Sequence, residues 1–331
     1  MMSDKAEPAP RSATRNDVAK LAGVSSAVVS YVVNDGPRPV AEATRQRVLD
    51  AIDKLGYRPN AAARSLITGR ADLIGLIVPD VRNPYFAAMA QQVEIAARER
   101  GYTLVLAQSA TADLAEVIDA LGGRLVAGII TAAAGPPAMA RDLRRFRVPV
   151  IMLSLAAPLG PFPALWPDFY QGTRAAVRHL VQVHRHTQVA FVTGSEDQDD
   201  RERAWRDVLL ESGLEVREPI RVPWSMVGGR DAVSSVLADP GVTAVFVASD
   251  QQATGLLSGL HQAGRRVPED LAVASFDGSP EAEFTVPSLT TVAVPMPDMA
   301  RDAVGLVLGD DLAHGSPYPS VLVVRHSCGC P

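Results

Sequence analysis

The sequence predicts two parts of different fold class: an N-terminal all-α helix-turn-helix domain and a larger α/β core made of two parallel-sheet lobes. Within residues 14–57, apolar residues recur at helical spacing. From residue 73 onward, apolar runs typical of buried strands alternate with helical stretches. These units fall into two blocks, about 73–160 and 165–290, and such repetition predicts two similar lobes.

Length and composition limit the class of protein. A chain of 331 residues suits two or three domains, and its hydrophobic fraction of 47% can supply their cores. There is no apolar run of about 18 residues, so we expect no membrane span. Residues 1–13 are polar, rich in Ala and Pro, and lack the apolar core of a secretion signal. We therefore expect a disordered arm on a cytoplasmic protein.

The charge distribution favours nucleic acid at one end of the chain. The net charge is −5, which by itself argues against such a partner. Residues 1–70, however, hold 11 Lys and Arg against 7 Asp and Glu, and the remainder holds 21 against 30. The basic surplus thus lies on the helical end, and we expect binding that weakens steeply with salt.

The first two predicted helices are marked by their ends. Thr14 followed by Asp17 resembles a capping box, with Asp in place of the usual Glu or Gln. Gly23 suits the left-handed residue of a sharp turn, and Ser25 is a candidate N-cap for the second helix. A third helix is expected over residues 42–55. Its predicted apolar stripe contains Val48, Leu49, Ile52 and Leu55.

The second helix separates apolar from small polar residues. Its valines (Val24, Val28, Val29, Val32 and Val33) share one face, and the opposite face carries Ser26, Ala27, Ser30, Tyr31 and Asn34. This pattern is typical of the recognition helix of a helix-turn-helix motif. A helical hairpin of another kind would show the same spacing.

Residues 60–68 form a second informative stretch. Asn60 can cap, three alanines favour helix and Gly69 can end it. Nine residues are fewer than the roughly 12 to 15 that an isolated helix needs in water. We therefore expect this segment to be helical only when a partner packs on it.

Four motifs in this region carry a family resemblance. They are Asp17-Val-Ala-x-x-Ala-Gly-Val-Ser25, Val29-Ser-x-Val-x-Asn34, Gly56-Tyr-x-Pro-Asn60 and Ala63-Arg-Ser-Leu66. Together they resemble the lactose-repressor/galactose-repressor family of bacterial transcription regulators, closely over residues 14–70 and more loosely beyond.

The resemblance implies how this region contacts DNA. Ser26, Ala27, Ser30 and Tyr31 would face the major groove, where Ala27 offers only apolar contact. The 60–68 segments of two subunits would pair with each other in the minor groove. Ala63 and Arg64 would contact DNA there, and Leu66 would wedge between base pairs. A linker leucine packing on its own domain is the alternative for Leu66. Phosphate contacts, which position without specifying, are predicted for Thr14, Ser25, Asn34 and Thr44.

The core is predicted to contain strands that alternate with helices along the chain. Strands are expected at 73–80, 103–107, 128–132, 150–154, 189–193, 244–249, 271–276 and 321–325, and helices at 84–100, 169–182, 201–212 and 251–263. This resembles a periplasmic-binding-protein type I core, whose chain crosses between lobes three times, here near 157–166, 289–294 and 316–321. We expect residues 14–58 to bind DNA, 59–70 to be a hinge and 71–331 to be the core. Lobe 1 would span about 71–160 and 294–317, and lobe 2 about 165–290 and 320–331.

Polar and aromatic residues cluster where core strands end. Ligands of open parallel sheets bind beyond these carboxyl ends. Carboxylates, a guanidinium and flat rings together suit a sugar, because charged groups take hydroxyls in pairs and rings stack on apolar sugar faces. The predicted effector contacts are Asp80, Asn83, Tyr85, Phe86, Ser154, Arg201, Trp224, Ser249, Asp250, Phe276 and Asp277.

The family resemblance strengthens some of these contacts and weakens others. Arg201-x-x-Ala-Trp205 resembles the pattern whose arginine grips the effector, and Ser275-Phe-Asp-Gly278 resembles Gly-Phe-Asp-Asp. A salt bridge within the lobe is the alternative for Arg201, and a helix-start carboxylate for Asp277. Ser249 replaces an amide that binds effector in relatives, so the effector's identity stays open.

Enzyme and metal motifs are missing from the sequence. No glycine fingerprint, phosphate loop, nucleophile elbow or zinc-protease pattern occurs, so we expect no enzyme and no cofactor. Cys328 and Cys330 are interpreted as incidental tail thiols, and His179, His184 and His186 as solvated residues of a helix end. On this interpretation the chain has no metal site.

The sequence therefore predicts a homodimer, or a tetramer, that binds a near-palindromic operator in double-stranded DNA. We expect a repressor whose DNA affinity changes when a small molecule, a carbohydrate by family habit, binds between the core lobes. Two alternatives are a solute-binding protein of the same core fold and a corepressor-dependent regulator of a nucleobase-like ligand.

Overall fold

The computed structural model describes residues 13–33, 36, 38–58, 71–109, 116–117, 121, 126–133, 148–154, 162–194, 199–312 and 315–331. The chain divides into two compact units, Met1–Arg70 and Ala71–Pro331. The described residues exclude the predicted arm, apart from residue 13, and the predicted hinge at 59–70. They therefore also exclude Ala63, Arg64 and Leu66 of the hinge, and they exclude Asn34. None of the described helices has both the length and the apolarity to cross a bilayer.

The described part of the first unit contains three helices: α1 at Arg15–Ala22, α2 at Ser26–Val33 and α3 at Glu42–Leu55. The predicted capping box is confirmed. Thr14 N–H donates to Asp17 Oδ2 at 2.8 Å, and Asp17 N–H donates to Thr14 Oγ1 at 3.3 Å. Gly23 adopts φ 65°, the left-handed conformation that the turn between α1 and α2 requires. Ser25 Oγ accepts from Val28 N–H at 3.4 Å at the start of α2.

The core of this unit is shared by all three helices. Val18 of α1, Val29 of α2 and Val48 of α3 are fully buried. The predicted stripe of α3 is partly wrong, because Leu49 and Leu55 are 40% and 37% exposed, whereas Ala51 is buried. Three short helices enclose only a narrow core, and a small residue on α3 lets the helices approach closely.

The first lobe of the second unit is a parallel sheet with strand order β2-β1-β3-β4-β5. Its described elements are β1 Leu73–Val78, α4 Pro84–Glu99, β2 Thr103–Gln108, β3 Val126–Thr131, β4 Val150–Leu153 and β5 Ala164–Leu165. Buried residues of β1, α4 and β4 form one apolar cluster with Met299 and Val304. These two residues lie in a late helix that the chain sends back to this lobe.

The second lobe is a sheet with strand order β11-β10-β9-β8-β6-β7, parallel except that β11 runs antiparallel to β10. Its described strands are β6 Val189–Thr193, β7 Ile220–Arg221, β8 Ala244–Val247, β9 Ala272–Asp277, β10 Thr290–Ala293 and β11 Val321–Val323. The helices that follow Leu165 are α5 Phe169–Arg178, α6 Asp200–Glu211, α7 Met226–Asp231, α8 Val233–Leu237, α9 Asp250–Gln262 and α10 Met296–Val307.

The pairing of the strands locates the passages of the chain between the lobes. β5 still pairs with β4, so the first passage follows Leu165. β10 pairs with β9 in the second sheet, so the return follows Ala293 and leads into α10. The passing segments lie side by side, since Tyr318 N–H donates to Trp166 O at 2.8 Å.

The C-terminal end is folded against the second lobe. A 3-10 turn, His326–Cys328, leaves Ser327 and Cys328 essentially inaccessible to solvent. Cys328 is therefore not on a free tail as the sequence suggests, since it is buried and Ser327 Oγ donates to Val273 O at 2.7 Å. Helix α5 likewise does not end in open solvent. It continues into a π-helical turn, His179–Val183, and His179 is half-buried beside the cysteines.

Candidate functional site

A cavity of about 520 Å³ lies in the second unit, lined by loops and helix starts that follow strands of both sheets. The first lobe contributes Pro79, Asp80, Asn83, Tyr85, Phe86, Ser109, Ala133 and Ser154. The second lobe contributes Phe169, Asp199, Asp200, Arg201, Trp224, Ser249, Gln251 and Asp277. Side chains from two separate sheets therefore enclose one space, as the strand-end argument predicts.

The first-lobe wall is built around Tyr85. Its hydroxyl hydrogen-bonds with Ser154 Oγ, and burial raises the pKa of the phenol, so Tyr85 is a neutral donor or acceptor. Ser154 adopts φ 65°, a conformation that is strained for a residue other than glycine. Asn83 Oδ1 accepts from Tyr85 N–H at 3.0 Å and so caps α4, and Phe86 packs edge-on against the Tyr85 ring.

Asp80 carries its own counter-charge at the edge of the cavity. Arg82 Nε donates to Asp80 Oδ1 at 3.0 Å, and Arg82 Nη2 donates to Oδ2 at 2.8 Å. These hydrogen bonds lower the pKa of the Asp80 carboxyl. The group is thus an ionised acceptor whose charge is largely balanced locally.

Arg201 is held in a fixed orientation on the second-lobe wall. Its guanidinium lies between two aromatic rings, 4.9 Å from the centroid of Phe169 and 5.0 Å from that of Trp224. Asp199 accepts from its Nε at 3.0 Å and from its Nη2 at 2.7 Å, and Ala248 O accepts from Nη1 at 3.0 Å. Burial would raise the pKa of Asp199, but the Arg201 charge and hydrogen bonds outweigh it and lower this pKa.

The predicted alternative for Arg201, a salt bridge within the lobe, is therefore present. It leaves room for a ligand contact as well. A guanidinium has five N–H groups, and its contacts with described side chains and carbonyls use three of them. Because Arg201 lines the cavity, the remaining donors can reach a hydroxyl of a bound molecule.

Asp277 lines the cavity from the second lobe at the end of β9 and has φ 128°, again in a strained region for a non-glycine residue. Burial and the nearby Asp250 charge raise the pKa of its carboxyl well above the ordinary value, and Arg201 opposes this shift. Asp250 N–H donates to Asp277 Oδ2 at 3.3 Å. A carboxyl with a raised pKa can donate as well as accept a hydrogen bond.

Asp250 and Phe276 do not reach the cavity. Asp250 is buried and accepts hydrogen bonds from Ser275 Oγ at 2.5 Å, Thr291 Oγ1 at 2.6 Å and Ser279 N–H at 2.7 Å. It ties the start of α9 to β9 and β10, which is a structural task. Phe276 is fully buried beside Phe169 in the second-lobe core. The strand-end argument selects both, because it cannot tell which face of a strand end meets the ligand.

Several lining residues escaped the sequence argument. Phe169 opens α5 and offers no motif of its own, although an aromatic residue next to a predicted passage between lobes is a usable signal. Asp199 precedes the motif arginine by two residues and is also the N-cap of α6, accepting from Glu202 N–H at 3.0 Å. The other unselected residues are Pro79, Ser109, Ala133, Asp200 and Gln251.

The predicted DNA-reading residues surround α2 and the helix starts. Ala27 is exposed, and Ser26, Ser30 and Tyr31 are partly exposed along the same helix. Thr14 and Ser25 are exposed, but their hydroxyls already take part in helix capping, and Thr44 Oγ1 accepts from Arg47 Nη2 at 3.4 Å. Residues at helix starts are well placed for phosphate contacts, because backbone N–H groups point outward there.

A helix-turn-helix unit and a two-lobed ligand-binding core define a class, namely ligand-responsive DNA-binding proteins. A sequence model described as "Bacterial regulatory proteins, lacI family" matches residues 14–60, and one described as "Periplasmic binding protein-like domain" matches residues 177–328. The chain is 33% identical over 301 residues to catabolite control protein A of Priestia megaterium, covering 88% of this chain and 90% of that protein.

Solved structures agree with the sequence relatives. A lac repressor dimer bound to operator and the anti-inducer ONPF superimposes with a TM-score of 0.84 at 25% identity, over 96% of this chain and 99% of that one. A complex of the transcriptional regulator CelR with cellobiose gives a TM-score of 0.69 at 30% identity, over 95% and 99%. The chain belongs to the lacI family of bacterial regulatory proteins, and it is a DNA-binding transcriptional regulator.

Proposed function

We propose that this regulator is a homodimeric repressor whose operator affinity is controlled by a neutral sugar bound in the cavity. The observation that carries the proposal is convergence. Nine of the eleven predicted contacts line one cavity, although they come from distant parts of the sequence. They are Asp80, Asn83, Tyr85, Phe86, Ser154, Arg201, Trp224, Ser249 and Asp277.

The chemistry of the cavity supports a neutral, hydroxyl-rich ligand. Among the described lining residues Arg201 is the cation, and Asp199 already balances its charge. An anionic ligand such as a sugar phosphate would find no cation among these lining residues whose charge is not already balanced. Trp224 lines the cavity and is 41% exposed, so its indole offers apolar contact to the CH groups of a sugar. The CelR complex, which contains cellobiose, supports the same ligand class.

On the DNA side, Ser26, Ala27, Ser30 and Tyr31 would meet base edges, and Thr14, Ser25 and Thr44 would meet phosphates. Asn34, Ala63, Arg64 and Leu66 keep their predicted roles as proposals, since they lie outside the described residues. The matched lac repressor structure is a dimer bound to operator, which supports both the partner and the assembly proposed here.

Control requires a ligand that prefers one arrangement of the two lobes over another. The cavity is lined from both lobes, so its occupant contacts both and biases their relative angle. That angle would set how far apart the two predicted hinge segments of a dimer lie, and hence whether they pair on DNA.

A thermal-shift screen tests the ligand class. Neutral mono- and disaccharides are compared with matched sugar phosphates and with free nucleobases, each over a concentration series. We expect stabilisation of the second unit by one or more neutral sugars, and a change in operator binding on a gel-shift titration with the same compound. Stabilisation by nucleobases or phosphates alone would contradict the proposal. The sign of the gel-shift change distinguishes an inducer from a corepressor.

A further inference from the structure

Four potential metal ligands converge outside the cavity, at the junction of α5 and the C-terminal end. They are His179, His184, Cys328 and Cys330, and one ligand atom from each lies within 4.8 Å of the other three. The four residues come from two segments that are about 145 positions apart in sequence. We propose that this cluster is a structural zinc site.

The distances match a tetrahedral site. Zinc–nitrogen bonds of about 2.0 Å and zinc–sulfur bonds of about 2.3 Å place two nitrogens about 3.3 Å apart and a nitrogen and a sulfur about 3.5 Å apart. In the structure the two histidine Nε2 atoms are 3.1 Å apart, and each of three nitrogen–sulfur pairs is 3.4 Å apart. The widest separation, at most 4.8 Å, exceeds the expected sulfur–sulfur distance by only about 1 Å.

Hydrogen bonding alone accounts poorly for this convergence. His179 Nε2 lies close to three atoms at once: His184 Nε2, Cys328 Sγ and Cys330 Sγ. A neutral imidazole nitrogen has either one hydrogen or one lone pair, so it can satisfy one such partner well. A cation at the centre satisfies all four groups together.

The backbone on both sides is shaped to bring the ligands together. Residues five apart on an α-helix differ by about 140° around the axis and point to different sides. The π-helical turn corrects this, since His184 N–H donates to His179 O at 3.3 Å and the two rings lie 4.8 Å apart. On the other segment Gly329 has φ 102°, which lets the flanking cysteines point the same way.

Surrounding contacts support a sulfur ligand in place. Thr290 Oγ1 accepts from Arg325 N–H at 2.9 Å and lies 3.1 Å from Cys328 Sγ, where its hydroxyl can donate the kind of outer hydrogen bond that orients and stabilises a thiolate. Thr290 N–H in turn donates to Ser327 Oγ at 2.8 Å, which fixes the turn that carries Cys328.

The types of the four ligand atoms indicate which metal would bind and whether its role is structural or catalytic. Two sulfurs and two imidazole nitrogens in a tetrahedron favour zinc. All four positions are filled by protein, which is typical of structural rather than catalytic sites. The ion would fasten the C-terminal end, next to β10 and β11, to the end of α5.

The test uses the full-length protein, reduced and purified anaerobically, and Co²⁺ as a spectroscopic substitute for zinc. We expect a single Co²⁺ per chain, with thiolate-to-cobalt charge-transfer absorption and the visible bands of tetrahedral cobalt. Cys330→Ser and His184→Gln should lose this absorption and bind more than about 100-fold more weakly. His186→Gln is the matched control, because His186 is a neighbouring histidine that bonds Thr243 instead.

Two further measurements complete the test. Adding a chelator to the zinc-loaded parent should lower its melting temperature, while the melting temperature of Cys330→Ser should not respond. Circular dichroism checks that each variant is folded. A parent that binds no stoichiometric metal, variants that bind as well as the parent, or a Cys328–Cys330 disulfide in the anaerobic protein would each overturn the proposal.

Discussion

Arg201 is the residue on which ligand recognition in this cavity should depend most. Replacing it by alanine removes the remaining guanidinium donors and breaks the ion pair with Asp199. Hydrogen bonds from a charged group contribute about 1.5 to 3 kcal/mol, so we expect ligand affinity to fall roughly 10- to 150-fold in Arg201→Ala. Isothermal calorimetry measures the loss, and DNA binding without ligand should persist.

Arg203→Ala is the matched control for this prediction. Arg203 lies on the same helix, pairs with Asp200 at 2.9 Å and packs over Tyr170 rather than against the cavity rings. Its removal should leave the ligand dissociation constant nearly unchanged. Equal ligand affinity of Arg201→Ala and the parent would remove Arg201 from the site.

Asp277 predicts a pH dependence of stability. Burial and the Asp250 charge raise the pKa of this carboxyl in the folded state, so at a pH between the unfolded and the folded pKa the folded state binds a proton that the unfolded state releases. Stability attributable to Asp277 is therefore present below the unfolded pKa of about 3.9 and falls as pH rises towards the folded value. Asp277→Asn should flatten this decline and raise the melting temperature at neutral pH relative to the parent.

Melting curves recorded between acidic and neutral pH measure this effect. Asp231→Asn is a suitable control, since Asp231 is an exposed carboxylate in the same lobe. A parent and an Asp277→Asn variant with parallel pH profiles would show that Asp277 does not hold its proton in the folded protein.

A residue's place at the cavity can be predicted from sequence where the residue follows a strand and its contacts are with neighbours in the sequence. Asn83 and Arg201 belong to this group, because each starts a helix beside a strand. Asp250 and Phe276 lie at equally suitable sequence positions, yet both point into the protein. Which side a strand-end residue faces depends on the packing of distant β10 and α5, and that information is not local.

Gly23 controls the turn on which the α1–α2 pair depends. A β-carbon in the left-handed conformation costs about 1 to 2 kcal/mol, and Asn tolerates it better than Ala. We expect Gly23→Ala to destabilise the N-terminal unit by about that amount and Gly23→Asn by clearly less. Calorimetric unfolding of the full chain should show the loss in the transition of this unit alone. An equal loss of stability in both variants would mean that steric crowding, rather than the left-handed φ, is the reason for glycine at this position.

Most long elements follow from periodicity and caps, and the exceptions have physical reasons. α3, β6 and α4 lie within a residue or so of their predicted ends, since each has a clear cap or an uninterrupted apolar run. α10 begins among prolines, which are weak helix formers, and so it is missing from the predicted helices. The two-residue strands β5 and β7 are too short to show alternation.

At the scale of the whole molecule, the proposed coupling must work in both directions. If the ligand changes operator affinity by some factor, operator DNA must change ligand affinity by the same factor, typically about 5- to 150-fold. Ligand titrations by calorimetry, with and without a saturating operator duplex, measure one factor, and gel shifts with and without ligand measure the other. Unequal factors at equilibrium would show that a further binding event takes part.

The variant Leu66→Ser tests operator binding separately from ligand binding. Leu66 is predicted to wedge into the minor groove, so its replacement should weaken operator binding strongly while leaving ligand affinity in the absence of DNA unchanged. Leu66→Met keeps an apolar wedge and serves as the control. The same operator affinity for Leu66→Ser and the parent in a gel-shift titration would contradict the wedge.

The division into a helical unit and a two-lobed core was readable from the sequence, because periodicity changes sharply near residue 70. The cysteine–histidine cluster was not readable. Its members are far apart along the chain, and a π-helical turn brings the two histidines onto one side. Spacing rules for metal ligands apply to residues close together in sequence, on regular helices or short loops. They therefore do not predict a cluster of this kind.

The side chains that surround the cavity come from loops, helix starts and strand ends, whereas the strands beneath them hold the apolar cores of both lobes. Ligand specificity and the ability to fold therefore depend largely on different positions of the sequence. A duplicated gene could acquire specificity for a new effector through a few substitutions at the strand ends while its sheets stay as they are. The same scaffold can in this way be reused for a different chemical signal.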